Sequence, residues 1–157
     1  MKINIGCGKD IRNGYINIDS RNNLDECVVV GDVENLPFES GTIDEILALD
    51  IYEHISHLRS LAMLQHWFDI LKPAGKLILR SPSLDVIIEK YYKTANTVDK
   101  IKRVIEIIFG GQEYSGNSHF TICHPIIMKD YLTKCGFINI SIGYINQNMT
   151  IECYKGE

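Results

Sequence analysis

Four short apolar runs in the first third of the chain each end on a glycine or an aspartate. That repetition constrains the fold more than any other feature. Ile3-Asn4-Ile5 runs into Gly6-Cys7-Gly8, and Tyr15-Ile16-Asn17-Ile18 into Asp19. Cys27-Val28-Val29-Val30 runs into Gly31-Asp32, and Ile43 to Leu49 into Asp50. The first two alternate with the period of a strand; the third is continuously β-branched, which predicts a strand covered on both faces. In an open α/β sheet, ligands bind in the crevice beyond the carboxyl ends of the strands. If the strands are parallel, Gly6 to Gly8, Asp19, Asp32 and Asp50 meet at one sheet edge. Glycine lets backbone approach a ligand there because it accepts positive φ and carries no side chain. A single strand-terminal aspartate is commonly a turn former. One per strand, beside a glycine turn, points to a binding edge.

The rest of the chain supplies helices and three more strands. Residues 57–71 show helical spacing through Leu58, Leu61, Ala62, Leu64, Phe68 and Leu71, with Pro73-Ala74-Gly75 as the stop. Lys76 to Leu79 reads as a fifth strand. Ser81-Pro82-Ser83 starts a helix to about Tyr92, and Val98 to Phe109 forms another, ended by Gly110-Gly111. A polar, aromatic loop follows through His119. Pro125 to Cys135 is a helix closed by Gly136 at its C′ position. Phe137 to Ile142 and Met149 to Tyr154 are the last strands, with Gly143 and Asn146-Gln147-Asn148 in a hairpin connection. The order is β-β-β-β-α-β, a helical insertion over 81–122, then α-β-β. At 157 residues this is expected to be one domain, 1–157.

Composition narrows the function classes. A net charge of -4 argues against general nucleic-acid binding, which needs a basic surface. No apolar run is long enough to cross a bilayer, and no apolar leader precedes the first strand, so no membrane partner is expected. Five cysteines without close pairing suit reduced thiols and a cytoplasmic location.

Several stretches resemble class I S-adenosylmethionine-dependent methyltransferases of the type-11 group. Asn4-Ile5-Gly6-Cys7-Gly8 resembles the family's glycine motif, and Ile16-Asn17-Ile18-Asp19 its second strand with terminal acid. Gly31-Asp32-Val33-Glu34-Asn35-Leu36-Pro37-Phe38 resembles its most recognisable block. That block runs on to Ile43-Asp44-Glu45-Ile46 and Tyr52-Glu53-His54-Ile55. Leu71-Lys72-Pro73-Ala74-Gly75-Lys76-Leu77 resembles the turn before the fifth strand, and Pro125 to Ile140 the helix before the sixth. The resemblance implies an α/β, Rossmann-like, mostly parallel seven-stranded sheet with an antiparallel last strand and a helical insertion after strand 5.

The same resemblance implies S-adenosyl-L-methionine as cofactor. Gly6, Cys7 and Gly8 would pass its methionyl part. Asp19 would accept from both ribose hydroxyls, and Asp32 with the Val33 backbone would read the adenine edge. Leu49 and Asp50 would lie by the methyl region. The chain departs from the pattern at Asn4, where an acid is common, and at Asp10, where a third glycine is common. The first crossover helices are also trimmed, which leaves one sheet face thinly covered and makes a homodimer conceivable.

Methyl transfer is an in-line displacement from an already activated sulfonium, so the protein mainly supplies position and a water-poor site. A general base is needed only when the acceptor must lose a proton. The expected acceptor is a small molecule or sugar-like compound. Residues 81–122 are the expected lid, with Gly110-Gly111 as a hinge and Gln112, Tyr114, Asn117 and His119 as acceptor contacts. Tyr114 and His119 are the catalytic candidates. The Lys90, Lys93, Lys100, Lys102 and Arg103 stretch reads as a solvated helix face. Asp50, His54 and His57, or Cys123, His119 and His124, make only loose metal-like sets, and no metal is expected. A nicotinamide enzyme is disfavoured because Ile11 stands where a third glycine belongs and Asp19 comes too early for a ribose acid. A non-catalytic methyltransferase-like subunit is the alternative.

Overall fold

The computed structural model describes residues 1–24, 28–114 and 116–156. Seven strands form one sheet in the order β3-β2-β1-β4-β5-β7-β6. They are β1 (Lys2–Ile5), β2 (Ile16–Asp19), β3 (Val28–Val30), β4 (Ile43–Leu49), β5 (Leu71–Pro82), β6 (Phe137–Ile145) and β7 (Asn148–Lys155). The pairs β1–β2, β1–β4, β2–β3 and β4–β5 are parallel. Strand β7 runs antiparallel to both β5 and β6. The fold is the α/β, Rossmann-like sheet with one antiparallel strand that the resemblance implies. Its strand order reverses beside β1, where such sheets open a crevice.

The helices are α1 (Ser60–Ile70), α2 (Leu84–Val86, continuing as a π-helix over Ile87–Tyr92), α3 (Val98–Phe109) and α4 (Pro125–Cys135). Thr97 caps α3 by accepting from Lys100 N. Pro125 opens α4, and Gly136, at φ 98°, closes it in the left-handed conformation that glycine tolerates.

Register sorts the side chains onto two unlike faces. Ile3, Ile5, Ile18, Ile46, Ala48, Leu77, Leu79 and Ile151 share one face and form the main core with Met63, Leu64 and Trp67 of α1 and Met128, Leu132 and Cys135 of α4. Each such buried aliphatic side chain contributes about 1.5–3 kcal/mol. Trp67 is fully buried, and its indole N–H donates to Val33 O at 2.8 Å. The opposite face carries Lys2, Glu45, Lys76, Glu152 and Tyr154, in register across the strands. Lys2 pairs with Glu45, and Lys76 with Glu152. Charge rather than apolar surface covers this face. A second, small cluster, Ile87, Val104 and Ile107, holds α2 against α3.

Four local readings need correction. Strand β3 is an edge strand, with Val29 and Val30 51% and 58% exposed, because no strand pairs beyond it; Cys27 lies outside the described residues. The helix after β4 starts at Ser60, after a 3₁₀ turn over Tyr52–His54, and Leu58 is exposed. Pro73-Ala74-Gly75 do not stop it. The helix ends at Ile70, and those three residues fall in an irregularity of β5, where Ile43 pairs with Leu71 but Glu45 with Lys76. Gly143 sits inside β6, and the hairpin turn is Asn146-Gln147, with Asn146 at φ 55°.

Candidate functional site

The glycine turn is fixed by backbone geometry. Gly6 and Gly8 have φ of 62° and 54°. A Cβ on Gly6 would lie 2.5 Å from Ile51 Cγ1, so no other residue fits without displacing that side chain. Cys7 N donates to Ile18 O at 3.0 Å, tying the turn to β2. The two departures from the family pattern have structural work of their own. Asn4 Nδ2 donates to Asp10 O at 2.7 Å and to Asn17 Oδ1 at 3.0 Å. Arg12 N donates to the same Asn17 oxygen at 3.0 Å. A carboxylate at position 4 has no proton to give to those two acceptors. Asp10 is paired with Arg12 at the surface. The residue 9–14 loop, held by this network, replaces the missing first helix over that end of the sheet.

Asp19, at the end of β2, is 5% exposed and heavily bonded. Its carboxylate accepts from Gly8 N at 2.8 Å, from Arg21 N at 3.0 Å, and from Arg21 Nε and Nη2 at 2.9 and 3.2 Å. Burial alone would raise its pKa; the hydrogen bonds from Arg21 and Gly8 outweigh that and hold it below the usual aspartate value. The Arg21 guanidinium also lies 5.7 Å over the Tyr114 ring, and its Nη1 is 3.5 Å from Tyr114 Oη. Asp32 accepts from Glu34 N and Asn35 Nδ2 in its own turn, with lone pairs left over. Val33 O accepts from the Trp67 indole N–H at 2.8 Å, and no hydrogen bond from the Val33 N–H is found among the described residues.

Asp50 has a left-handed backbone, φ 54°, strained for a non-glycine residue. It is ion-paired with Arg80, whose Nε lies 3.0 Å from Oδ1, and accepts from Asn148 Nδ2 at 3.3 Å. The Cys7 thiol is pushed up to about 11, by burial first and then by the Asp19 charge, so it is no nucleophile at neutral pH.

These groups surround a cavity of about 410 Å³, within the size range of small-ligand sites. Gly6, Asp19, Asp32, Val33, Asp50 and Tyr114 all line it. Cys7, Gly8 and Leu49 do not; Cys7 and Gly8 act through backbone bonds, and Leu49 is half-buried at the end of β4. His119 lines a second cavity of about 230 Å³, with Glu53, Asn117 and Gly110, and Asp50 borders both. Gln112 is exposed, donating to Phe109 O. Gly110, φ 80°, is packed so that an added Cβ would meet Asn117 O at 2.2 Å.

Of the two loose metal-like sets, the structure brings together one member of each. His54 and His119 stack edge to face at 4.9 Å, and Glu53, not His57 or His124, stands beside them. Glu53 is 98% buried; burial, then the Asp50 charge, pushes its carboxyl up to about 8 against its own backbone hydrogen bond. His54 and His119 are both held below the ordinary imidazole value by burial, and His54 further by His119. Sequence reasoning missed Arg21, Ile51 and Glu53 as wall or cluster residues. No sequence signal singles out Arg21, since a spacing of two residues from Asp19 does not fix where its guanidinium points.

A methyltransferase domain model matches residues 4–79, just under half of the chain. An uncharacterized protein of Methanocaldococcus jannaschii is 27% identical over 149 residues, covering 82% of this chain; the chain spans only 65% of that relative's length. A SAM-dependent methyltransferase of Archaeoglobus fulgidus superposes with a TM-score of 0.70 at 16% identity, over 98% of this chain and 85% of that one. One from Methanosarcina mazei gives 0.66 at 15% identity, over 99% and 92%. At such identities these two structures speak for the fold.

Proposed function

We propose that this chain is a class I S-adenosylmethionine-dependent methyltransferase, with the larger cavity as its cofactor site and the smaller as its acceptor site. The observation that carries this reading is the convergence of the Gly6 turn, Asp19, Asp32 and Val33 on one cavity at the carboxyl ends of β1, β2 and β3.

The donor set fits the cofactor. Asp19 offers two acceptor oxygens to a ribose diol, already oriented by Gly8 N. The Val33 N–H, without a partner among the described residues, can donate to a ring nitrogen of adenine, and Asp32 keeps lone pairs for its exocyclic amine. Gly6 keeps the wall open where any side chain would meet Ile51. The ion pair of Arg21 with Asp19 must open for the diol to bind, so Arg21 is a competitor at this position.

When bound, the sulfonium cofactor would supply an activated methyl group for in-line transfer to the acceptor, with the neutral thioether as leaving group. Around it the chain supplies position and exclusion of water. Asp50, fixed by Arg80 and Asn148 between the two cavities, orients the junction. Tyr114, Ser118 and Phe120 roof the larger cavity, so the 81–122 insertion acts as the lid. His119 and Asn117 line the acceptor side, and burial holds the His119 imidazole below its ordinary value. A small-molecule or sugar-like acceptor suits a cavity of about 230 Å³.

Calorimetric titration tests this. Micromolar binding of S-adenosylmethionine and S-adenosylhomocysteine, with none of NAD, is the expected result. Absence of both would remove the cofactor assignment. The non-catalytic alternative has one observation in its favour, the occupied Asp19 carboxylate. It predicts loss of cofactor binding, or cofactor binding without turnover on any acceptor class in a mass-spectrometric screen.

A further inference from the structure

Three lone-pair donors meet on the wall between the two cavities. His54 Nδ1 lies 3.1 Å from Ser118 O, and His119 Nδ1 lies 3.0 Å from Ile107 O. A carbonyl oxygen only accepts, so each Nδ1 carries the ring proton. Each neutral ring then presents Nε2 as a bare lone pair, with no hydrogen bond to it among the described residues. Glu53 is 2% exposed, and its Oε2 is buried without a hydrogen-bond partner. One ligand atom from each of the three residues lies within 4.8 Å of the other two. The cluster is built rather than accidental. Phe120 N and Thr121 N both donate to Glu53 O, at 2.8 and 3.2 Å, which pins the His119 loop to the turn that carries Glu53 and His54.

We propose that Glu53, His54 and His119 form a divalent transition-metal site between the two cavities. A divalent cation takes a lone pair from all three residues at once and balances the charge of the buried Glu53 carboxylate. Metal-bound histidines characteristically donate their second ring N–H to a backbone carbonyl or a carboxylate, and both rings do so here. Two imidazole nitrogens and one carboxylate oxygen match catalytic zinc, with a further position open, and disfavour magnesium and calcium. His54 borders the larger cavity, and Glu53 and His119 border the smaller. The open position therefore suits an acceptor that presents a hydroxyl or carboxylate oxygen; this last step rests on the methyltransferase reading, while the metal site does not.

The test uses the full chain after treatment with a chelator and its removal. Zn²⁺ and Mg²⁺ are titrated by calorimetry, and Co²⁺ by its visible absorption. The expected result is one equivalent of Zn²⁺ or Co²⁺, with Mg²⁺ far weaker. Glu53→Gln and His119→Asn should each weaken Zn²⁺ binding at least about tenfold, while His57→Ala, at an exposed position outside the cluster, leaves it unchanged. Circular dichroism confirms that each variant folds; if Glu53→Gln does not, His119→Asn, on a half-buried loop, carries the test alone. No stoichiometric Zn²⁺ in the wild type overturns the site. So does Zn²⁺ affinity that changes by less than about twofold in the folded variants. S-adenosylmethionine is titrated in parallel into the metal-free protein. Cofactor binding without zinc binding sinks the metal site only, and zinc binding without cofactor binding sinks the methyltransferase reading only.

Discussion

At the scale of single residues, the decisive competition is for the Asp19 carboxylate. Arg21 holds it now, and a ribose diol would hold it in the complex. Two substitutions should therefore act in opposite directions. Asp19→Ala should weaken S-adenosylmethionine binding by about 1.5–3 kcal/mol, the scale of hydrogen bonds to a charged group. Arg21→Ala should strengthen it by up to about 1 kcal/mol, the value of a partly exposed ion pair. Calorimetry on both proteins decides, and equal losses in the two would refute the competition. The same carboxylate sets a pH dependence. Its folded-state pKa is depressed, so its contribution to stability is complete above the unfolded value near about 3.9. That contribution is lost as pH falls through the lower folded value. Urea titrations between neutral and strongly acidic pH should show this loss in the wild type and a flatter curve in Asp19→Asn. The sequence showed Asp19 as a strand-terminal acid. It could not show Arg21 across from it, because two residues of spacing leave the guanidinium free to point anywhere. Glu53 was equally hidden: only the fold folds its turn against residues 118–121.

At the scale of elements, the strands and helices with a clear period were legible. Helices α3 and α4 fall where their spacing, the Gly110-Gly111 end and the Gly136 stop put them. The misreadings share a cause. A continuous β-branched run such as Val28-Val29-Val30 looks the same whether a neighbour covers it or not, and only sheet order makes β3 an edge. The π-helical turn over Ile87–Tyr92 likewise answers to packing rather than to a local signal. Helices α2 and α3 share a small apolar cluster of their own, Ile87, Val104 and Ile107. They should open as a unit before the sheet does. Native-state hydrogen exchange is expected to show weaker protection for α3 amides than for those of α1 or β4. Equal protection would mean that the insertion and the core unfold together.

At the scale of the whole molecule, the sheet is insulated unequally. One face is sealed by α1 and α4; the other shows Lys2–Glu45 and Lys76–Glu152 pairs to solvent. Each exposed pair is worth about 0–1 kcal/mol and is screened by salt. The thermal midpoint should therefore fall slightly between low and high sodium chloride. A large rise would indicate that apolar burial on that face has been underestimated. The seven-stranded plan was readable from strand endings and family resemblance. The charged face was not, since Lys2, Glu45 and Lys76 become neighbours only once the register is known.

The insertion leaves and rejoins the sheet through a neck one residue pair wide. Ser83 bridges Cys123, Cys123 N donates to Pro82 O, and Leu84 N donates to Cys123 O. With the two ends already clasped, lengthening or replacing what hangs between them adds little closure entropy. The segment from 84 to 122 is thus an exchangeable cassette on a fixed chassis. Evolution, or an engineer, can exchange that cassette, and with it the lining that Ile107, Asn117 and His119 give the smaller cavity, while the strand register stays as it is.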